Sequence, residues 1–280
     1  MRERRVGKIL DGFAQEPPTV AFPPATPPLP PPHTSTMAST LNMNGEDPVE
    51  RPKQIFDIIG GLERYNPQAA EVLEAYLQQQ CEEKFTDCNA NRALLKLYQL
   101  NPDRIKDEIV TNVLVKTMTQ FPSPQFDLAL HLLSPSYSNP GPGSSSDLAE
   151  AVAKLRALNS QLEGARYDHF WATLESDDIY ADLTTDIKGF EEIIRVKIAQ
   201  LISQAFREIS VSVLESYLGL RSEADVKTFV TETCGWKVGD DGIVHIPKNS
   251  ENEAKKTEIR EDVSIDMFTR VIKRSWEETA

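Results

Sequence analysis

Apolar residues recur at helical spacing along almost the whole chain from Gln54 onward. Ile55, Ile58, Ile59 and Leu62 outline a first short helix despite the Gly60-Gly61 pair. Asn66-Pro67 predicts a second start, with Asn as the cap and Pro at the first helical position. Its stripe is Ala69, Val72, Leu73, Tyr76 and Leu77. The segment NANRALLKLYQL (89–100) presents Leu94, Leu97 and Tyr98 on one side, with Leu95 nearby. Asn101-Pro102 repeats the start signal ahead of Ile105, Ile109, Val113 and Leu114. These two Asn-Pro starts stand 35 residues apart, a period that suits stacked helical hairpins. Short amphipathic helices on short connectors must stack to close a core, so a helical array is expected.

Ser123-Pro124 predicts another helix, holding Phe126, Leu128, Leu130 and Leu133. The run SPSYSNPGPGSSSD (134–147) breaks the pattern with Pro, Gly and Ser, and reads as a surface connector because no phosphate-loop motif is present. Helices resume over 148–162 and 167–174. The cleanest spans Phe190 to about Arg207, with Ile193, Ile194, Ile198, Leu201, Ile202, Ala205 and Phe206 on one face. Glu191, Arg195, Gln200 and Gln204 line the other.

That helix feeds the most informative stretch, Ile209 to Ile246. Ile209, Val213, Leu214 and Leu218 fall at helical spacing, and Gly219 is placed to end the helix with a left-handed cap. Ser222 is a good N-cap for a second helix carrying Val226, Phe229 and Val230 and ending at Gly235. Two β-prone runs follow, Trp236–Val238 and Ile243–Ile246, joined around Asp240-Asp241-Gly242. Helix, turn, helix and hairpin make a winged helix, and the 190–207 helix is expected to join it to the array through a shared core. After a charged connector, Ile265, Phe268, Val271, Ile272 and Trp276 form a final amphipathic stripe, which either packs back or docks on another chain.

Composition changes this picture at the ends. Nine prolines lie between Pro17 and Pro32, so the first 45 or so residues cannot bury apolar surface and are expected to be disordered. PPLPPP has the form of a ligand for proline-recognition domains, and an unstructured extension explains it as well. Met37 and Met43 offer internal starts. The basic-then-apolar opening MRERRVGKIL is too short for a signal sequence, and no run is long enough to span a membrane. Cys81, Cys88 and Cys234 form no paired motif, the pattern of reduced thiols in a cytoplasmic protein.

Candidate chemistry is sparse. His33 lies in the tail, His245 in the wing, and His131 and His169 beside apolar neighbours, where structural histidines are the common case. No zinc spacing, HExxH or GxSxG motif is present. Asp177-Asp178 and Asp240-Asp241 are consecutive and do not converge on a substrate. The sequence therefore argues against an enzyme and calls for no cofactor or metal. The net charge is −13 and the pI about 4.9. In the module itself Glu223, Asp225, Glu232, Asp240 and Asp241 face only Lys227 and Lys237. A helix reading the major groove needs Arg, Lys, Asn or Gln at its start, and acidic groups weaken phosphate binding. Protein docking is the simpler reading, with a nucleic-acid-binding winged helix as the alternative class.

Stacked helical hairpins running into a non-basic winged helix resemble the PCI-type subunits of the proteasome lid, the signalosome and translation initiation factor 3. NANRALLKLYQLNP (89–102), preceded by RYNP (64–67), is similar to the k-subunit family of eukaryotic translation initiation factor 3. So are HFWATL (169–174), GFEEIIR (189–195) and the wing region from Gly235. The LLKLYQLNP run argues against the lid and signalosome alternatives. The resemblance covers about Ile55 to Ile246. It implies a HEAT-like helical domain (46–188) and a winged helix (189–248), preceded by the tail (1–45). A charged linker and amphipathic helix (249–280) follow. It further implies a non-catalytic cytoplasmic scaffold subunit, paired with subunit l, in a complex acting on the small ribosomal subunit. No membrane and no sequence-specific nucleic-acid contact is expected. Edge-to-edge pairing of winged helices nominates Trp236, Val238, Ile243 and Ile246. A shared C-terminal helix bundle nominates Phe268, Val271, Ile272 and Trp276.

Overall fold

A computed structural model of the chain describes Pro48 and residues 51–139, 146–239, 241–254 and 265–277. The proline-rich tail, Asp240 of the wing turn and residues 255–264 of the charged linker lie outside the described residues. The rest is mainly helical with one small sheet, as the periodicity predicts.

Helix α1 (Lys53–Gly60) buries Ile55 and Ile58 and stops at the glycine pair. Leu62 belongs to the 3-10 turn that follows (Leu62–Tyr65) and is exposed, which corrects its place in the stripe. Asn66-Pro67 leads into α2 (Ala69–Glu83) through a turn instead of capping it: Asn66 Oδ1 accepts the Gln68 N–H at 3.1 Å and its carbonyl the Ala69 N–H at 3.0 Å, while Gln68 holds the cap position with no side-chain bond, two residues later than the pattern predicts. Helix α3 (Cys88–Leu100) buries Leu94, Leu95, Leu97 and Tyr98. Asn101-Pro102 opens only a 3-10 turn (Pro102–Arg104), because Ile105 then runs extended. Helix α4 (Asp107–Met118) begins beyond it.

Helix α4 is the axis of the array. Ile109, Val110, Val113, Leu114, Val115 and Met118 are buried on all its sides. A helix apolar all round must be wrapped by neighbours, and α2, α3, α5 (Gln125–Leu130), α7 (Asp147–Glu163) and α9 (Asp178–Thr185) touch it. Between α5 and α7 the connector contributes one helical turn, α6 (Pro135–Ser138). Leu128 of α5 is exposed, contrary to the sequence pattern. Helix α8 (Tyr167–Leu174) coincides with its predicted span. Helix α9 was not visible in the periodicity, since none of its residues is fully buried and its apolar contact is limited to half-buried Tyr180 and Leu183.

A buried polar hub joins the first three helices. Asp87 is fully buried and caps α3 by accepting the Ala90 N–H at 3.0 Å. Arg51 clamps both its oxygens, Nε at 2.6 Å and Nη2 at 2.8 Å. The Asp87 N–H donates to Gln80 Oε1 at 2.8 Å, and Gln80 and Asn91 exchange amide hydrogen bonds. A carboxylate removed from water is stable only when paired and hydrogen-bonded in this way. Below the hub, Lys116 of α4 is fully buried and its Nζ donates to the Gln80 carbonyl at 2.8 Å.

The remaining elements build the winged helix. Helix α10 (Phe190–Ala205) buries Ile193, Ile194, Ile198 and Ile202, and also Val196, Lys197 and Ala199. Ala205 and Phe206 face solvent, so the apolar stripe ends sooner than predicted. Strand β1 (Glu208–Ser210) takes Ile209 out of the expected helix. Helix α11 (Val211–Leu218) is capped by Ser210 and leaves Val213 exposed. Helix α12 (Glu223–Thr228), capped by Ser222, continues as a π turn (Phe229–Cys234) and ends at Gly235, whose φ is 68°. Strands β2 (Lys237–Val238) and β3 (Ile243–His245) complete an antiparallel sheet in the order β1-β3-β2. Ile209 pairs with Val244, and Val238 pairs with Val244 from the other side. Helix α13 (Ile265–Glu277) follows the linker.

Two stability outcomes follow. Leu97 is 1% exposed, so Leu97→Ala is expected to cost about 2–5 kcal/mol by denaturant melts. Burial pushes the Lys116 ammonium down to about 8. A lysine depressed on folding destabilises below its folded value, and that penalty fades as pH rises from there to the unfolded value. Lys116→Met is therefore expected to stabilise at pH 7 by on the order of 3 kcal/mol, less the lost Gln80 bond. The advantage should shrink toward pH 10 in the same melts.

Candidate functional site

The winged helix is fixed to the array by a small set of contacts around Trp171 of α8. The indole Nε1 donates to the Tyr217 carbonyl at 2.9 Å. Arg195 of α10 lies 4.8 Å over the ring, and its Nε donates to the Leu218 carbonyl at 2.9 Å. These two donors satisfy carbonyls that the end of α11 leaves open. Gly219 then turns the chain with φ of 58°, and a Cβ there would lie 2.5 Å from the indole. Glycine is needed twice over, for the left-handed turn and for the approach of the ring. Tyr167 meets Tyr217 edge-on at 5.6 Å. Core residues run without a break from Ile55 to Ile246, as the sequence reading anticipated.

The face on which a winged helix would read DNA is acidic. Glu223, Asp225 and Glu232 are exposed along α12 and its π turn, and Lys227 is drawn into a 2.8 Å pair with Glu223. Carboxylates on that face oppose a phosphate backbone.

The wing nominees divide by burial. Trp236 and Ile246 are buried, so their side chains belong to the core and not to a contact surface. Trp236 also donates its N–H to the Val230 carbonyl at 3.0 Å, which closes the π turn. Val238 and Ile243 are half-buried. Gly239 donates to the Ile243 carbonyl at 2.8 Å, and antiparallel alternation then turns the Val238 N–H and carbonyl to the outer side of β2. The open strand edge is thus short and centres on Val238.

Helix α13 is the largest apolar feature facing solvent. Phe268, Val271 and Ile272 are exposed at 57, 67 and 54%, and Trp276 at 74%. They share one face, with Arg270, Lys273 and Arg274 on the opposite side. The Ile265 side chain lies outside the described residues.

The remaining polar candidates have local roles. Cys81, Cys88 and Cys234 are buried thiols, and burial pushes the Cys234 thiol up to about 12. Such a group is a poor nucleophile. His131 and His169 are on the surface, not packed as the sequence suggested. Asp177 caps α9 and pairs with Lys154 at 2.9 Å, which holds its carboxyl below the ordinary range. Among the described residues no group of three or more His, Cys, Asp or Glu has metal-holding geometry. No described helix is long and apolar enough to cross a membrane. Sequence reasoning missed Trp171, Arg195 and Asp87. Thr86-Asp87 ahead of the α3 stripe was the cap signal that could have found the last of them.

A helical array continuous with a winged helix, acidic where nucleic acid would lie, defines the class. Residues 104–258 match the CSN8/PSMD8/EIF3K family model. The chain is 75% identical to eukaryotic translation initiation factor 3 subunit K of Neurospora crassa over 238 residues, 85% of this chain and all of the relative. It is 67% identical to that subunit of Pyricularia oryzae, covering 85% of this chain and 98% of the relative. The Botryotinia fuckeliana protein of the same name is 52% identical over 82% of this chain and 96% of its own length. The chain belongs to the subunit K family of eukaryotic translation initiation factor 3.

The junction makes one expectation sharp. Gly219→Ala should destabilise by about 2–4 kcal/mol, from left-handed strain and the displaced indole. Denaturant melts followed by tryptophan fluorescence report both effects.

Proposed function

We propose that the chain is a non-catalytic scaffold subunit of the translation initiation factor 3 complex, supporting initiation on the small ribosomal subunit through protein–protein contacts in the cytoplasm. The name its relatives share supports membership of that complex. Its immediate neighbour on this reading is subunit l. The observation that carries the scaffold role is α13. A helix of 13 residues with Phe268, Val271, Ile272 and Trp276 open to water gains most by burying that face in a bundle with helices of other chains. At about 25 cal/mol per Å² of apolar area, four such side chains supply a large part of an interface's affinity. The backbone edge at Val238 offers a second, shorter contact by strand addition. The acidic α12 face supports contact with protein rather than with phosphate.

Affinity capture of the native protein, followed by identification of its companions, tests the assignment. Recovery of the initiation factor subunits is expected, and recovery of the protein alone would overturn it. In the same assay Phe268→Asp and Trp276→Asp are expected to reduce companion recovery about tenfold or more. The isolated variants should melt like the parent. A lowered melting point would instead place α13 in the chain's own core.

A further inference from the structure

The chain does not leave the body at the end of the wing. Past β3 the Ile246 N–H donates to the Arg207 carbonyl at 2.8 Å, and a turn follows over Ser250–Asn252. Two asparagines build it. Asn249 Oδ1 accepts the N–H groups of Glu251 and Asn252 at 2.9 and 2.8 Å, and Asn252 Oδ1 accepts the Asn249 N–H at 2.9 Å. Each side chain thus holds the other residue's backbone, a role Asn fills because its amide stands in for a peptide group. Lys248 and Glu253 pair across the turn at 3.6 Å.

The amide nitrogens of the same two residues face the end of α10. That helix closes with the Phe206 N–H on the Ile202 carbonyl, which leaves later carbonyls of its last turn open. Asn249 Nδ2 donates to the Ser203 carbonyl at 2.7 Å, and Asn252 Nδ2 lies 3.0 Å from the same oxygen. Asn252 Nδ2 is also 3.0 Å from the Pro247 carbonyl and 3.4 Å from that of Phe206. Donors are favoured at this negative end of a helix. The bonds reach across 46 and 49 residues of sequence, so they act as a strap that ties the start of the connector to the winged helix.

The strap limits how far α13 can travel. Ile265 lies 13 residues past Asn252 and 19 past Ile246. Full extension therefore carries the start of α13 no more than about 45 Å from the pinned turn, against about 65 Å from Ile246 if the turn were free. The accessible volume is roughly threefold smaller with the turn pinned, and the effective concentration of the α13 face beside the wing is higher by the same factor. We infer that Asn249 and Asn252 are positioning residues for assembly: they keep α13 close enough to the Val238 edge for both to engage one complex at once. This rests on the scaffold reading above, and the measurements below separate the two.

The test uses the full chain with nitroxide labels at Lys237→Cys on β2 and Lys273→Cys on α13. The three native thiols are buried and stay unlabelled. Pulsed electron paramagnetic resonance then reads the distance from wing to α13. Asn252→Asp keeps the side chain's shape but turns its donor into an acceptor against carbonyls. The longest populated distance should grow by up to about 20 Å, six freed residues at about 3.5 Å each. Uncharged Asn252→Ala should do the same. In capture of the initiation factor subunits both variants should lower recovery roughly threefold. Six Gly and Ser residues inserted between Ala254 and Lys255 should lower it equally, with the strap and the melting point intact. Deleting residues 258–263 from the Asn252→Asp chain should restore it. The inference is overturned if Asn252→Asp leaves the distances unchanged, or if the insertion leaves recovery unchanged. Lower recovery in Phe268→Asp with none in Asn252→Asp overturns the strap alone. One short distance common to parent and variants overturns the scaffold reading too, because α13 would then sit on its own body.

Discussion

The contact of Trp171 with Gly219 decides what kind of object this chain is. One indole face lies against a glycine that has no side chain to hold it away. The Arg195 guanidinium lies over the ring, and the ring nitrogen reaches the Tyr217 carbonyl. Three elements far apart in sequence, α8, α10 and the α11 turn, therefore share one aromatic ring. Domains joined by small polar interfaces move relative to one another by default. Here the core is continuous from array to wing. The winged helix thus presents its faces at a set angle to the array, as a scaffold requires.

Much of this was legible in the chain. Tyr167–Leu174 coincides with its pattern, and Gly219, Ser222 and Gly235 mark turns and caps where the conformational argument put them. What escaped was information held by non-local partners. Ile209 reads as helix because its apolar neighbours fall at helical spacing, yet it pairs with Val244, and nothing local reveals that. Trp236 and Ile246 look like an exposed wing because strands of two or three residues are too short to show which face is covered. Asn101-Pro102 carries the same dipeptide as Asn66-Pro67 but turns into extended chain at Ile105. Helix α9 packs on the core with half-buried Tyr180 and Leu183, too short a stripe to stand out in the sequence.

Charge and burial divide the labour across the molecule. Basic groups are drawn into pairs or into the interior: Lys227 onto Glu223, Lys197 and Lys116 into the core. Glu223, Asp225 and Glu232 are left at the surface along α12 and its π turn. The surplus negative charge is thereby exposed where it discourages polyanions.

The Arg51 clamp on Asp87 has a consequence for where the folded body begins. Arg51 precedes the first helix, yet its guanidinium is the described cation paired with a carboxylate sealed from solvent between α2 and α3. Trimming the chain to the first helical residue would strand that negative charge in a low-dielectric interior, a change costing several kcal/mol. The minimal folding unit is therefore bounded by an electrostatic requirement two residues ahead of its secondary structure, and a truncation guided by helix limits alone would cut two residues too far.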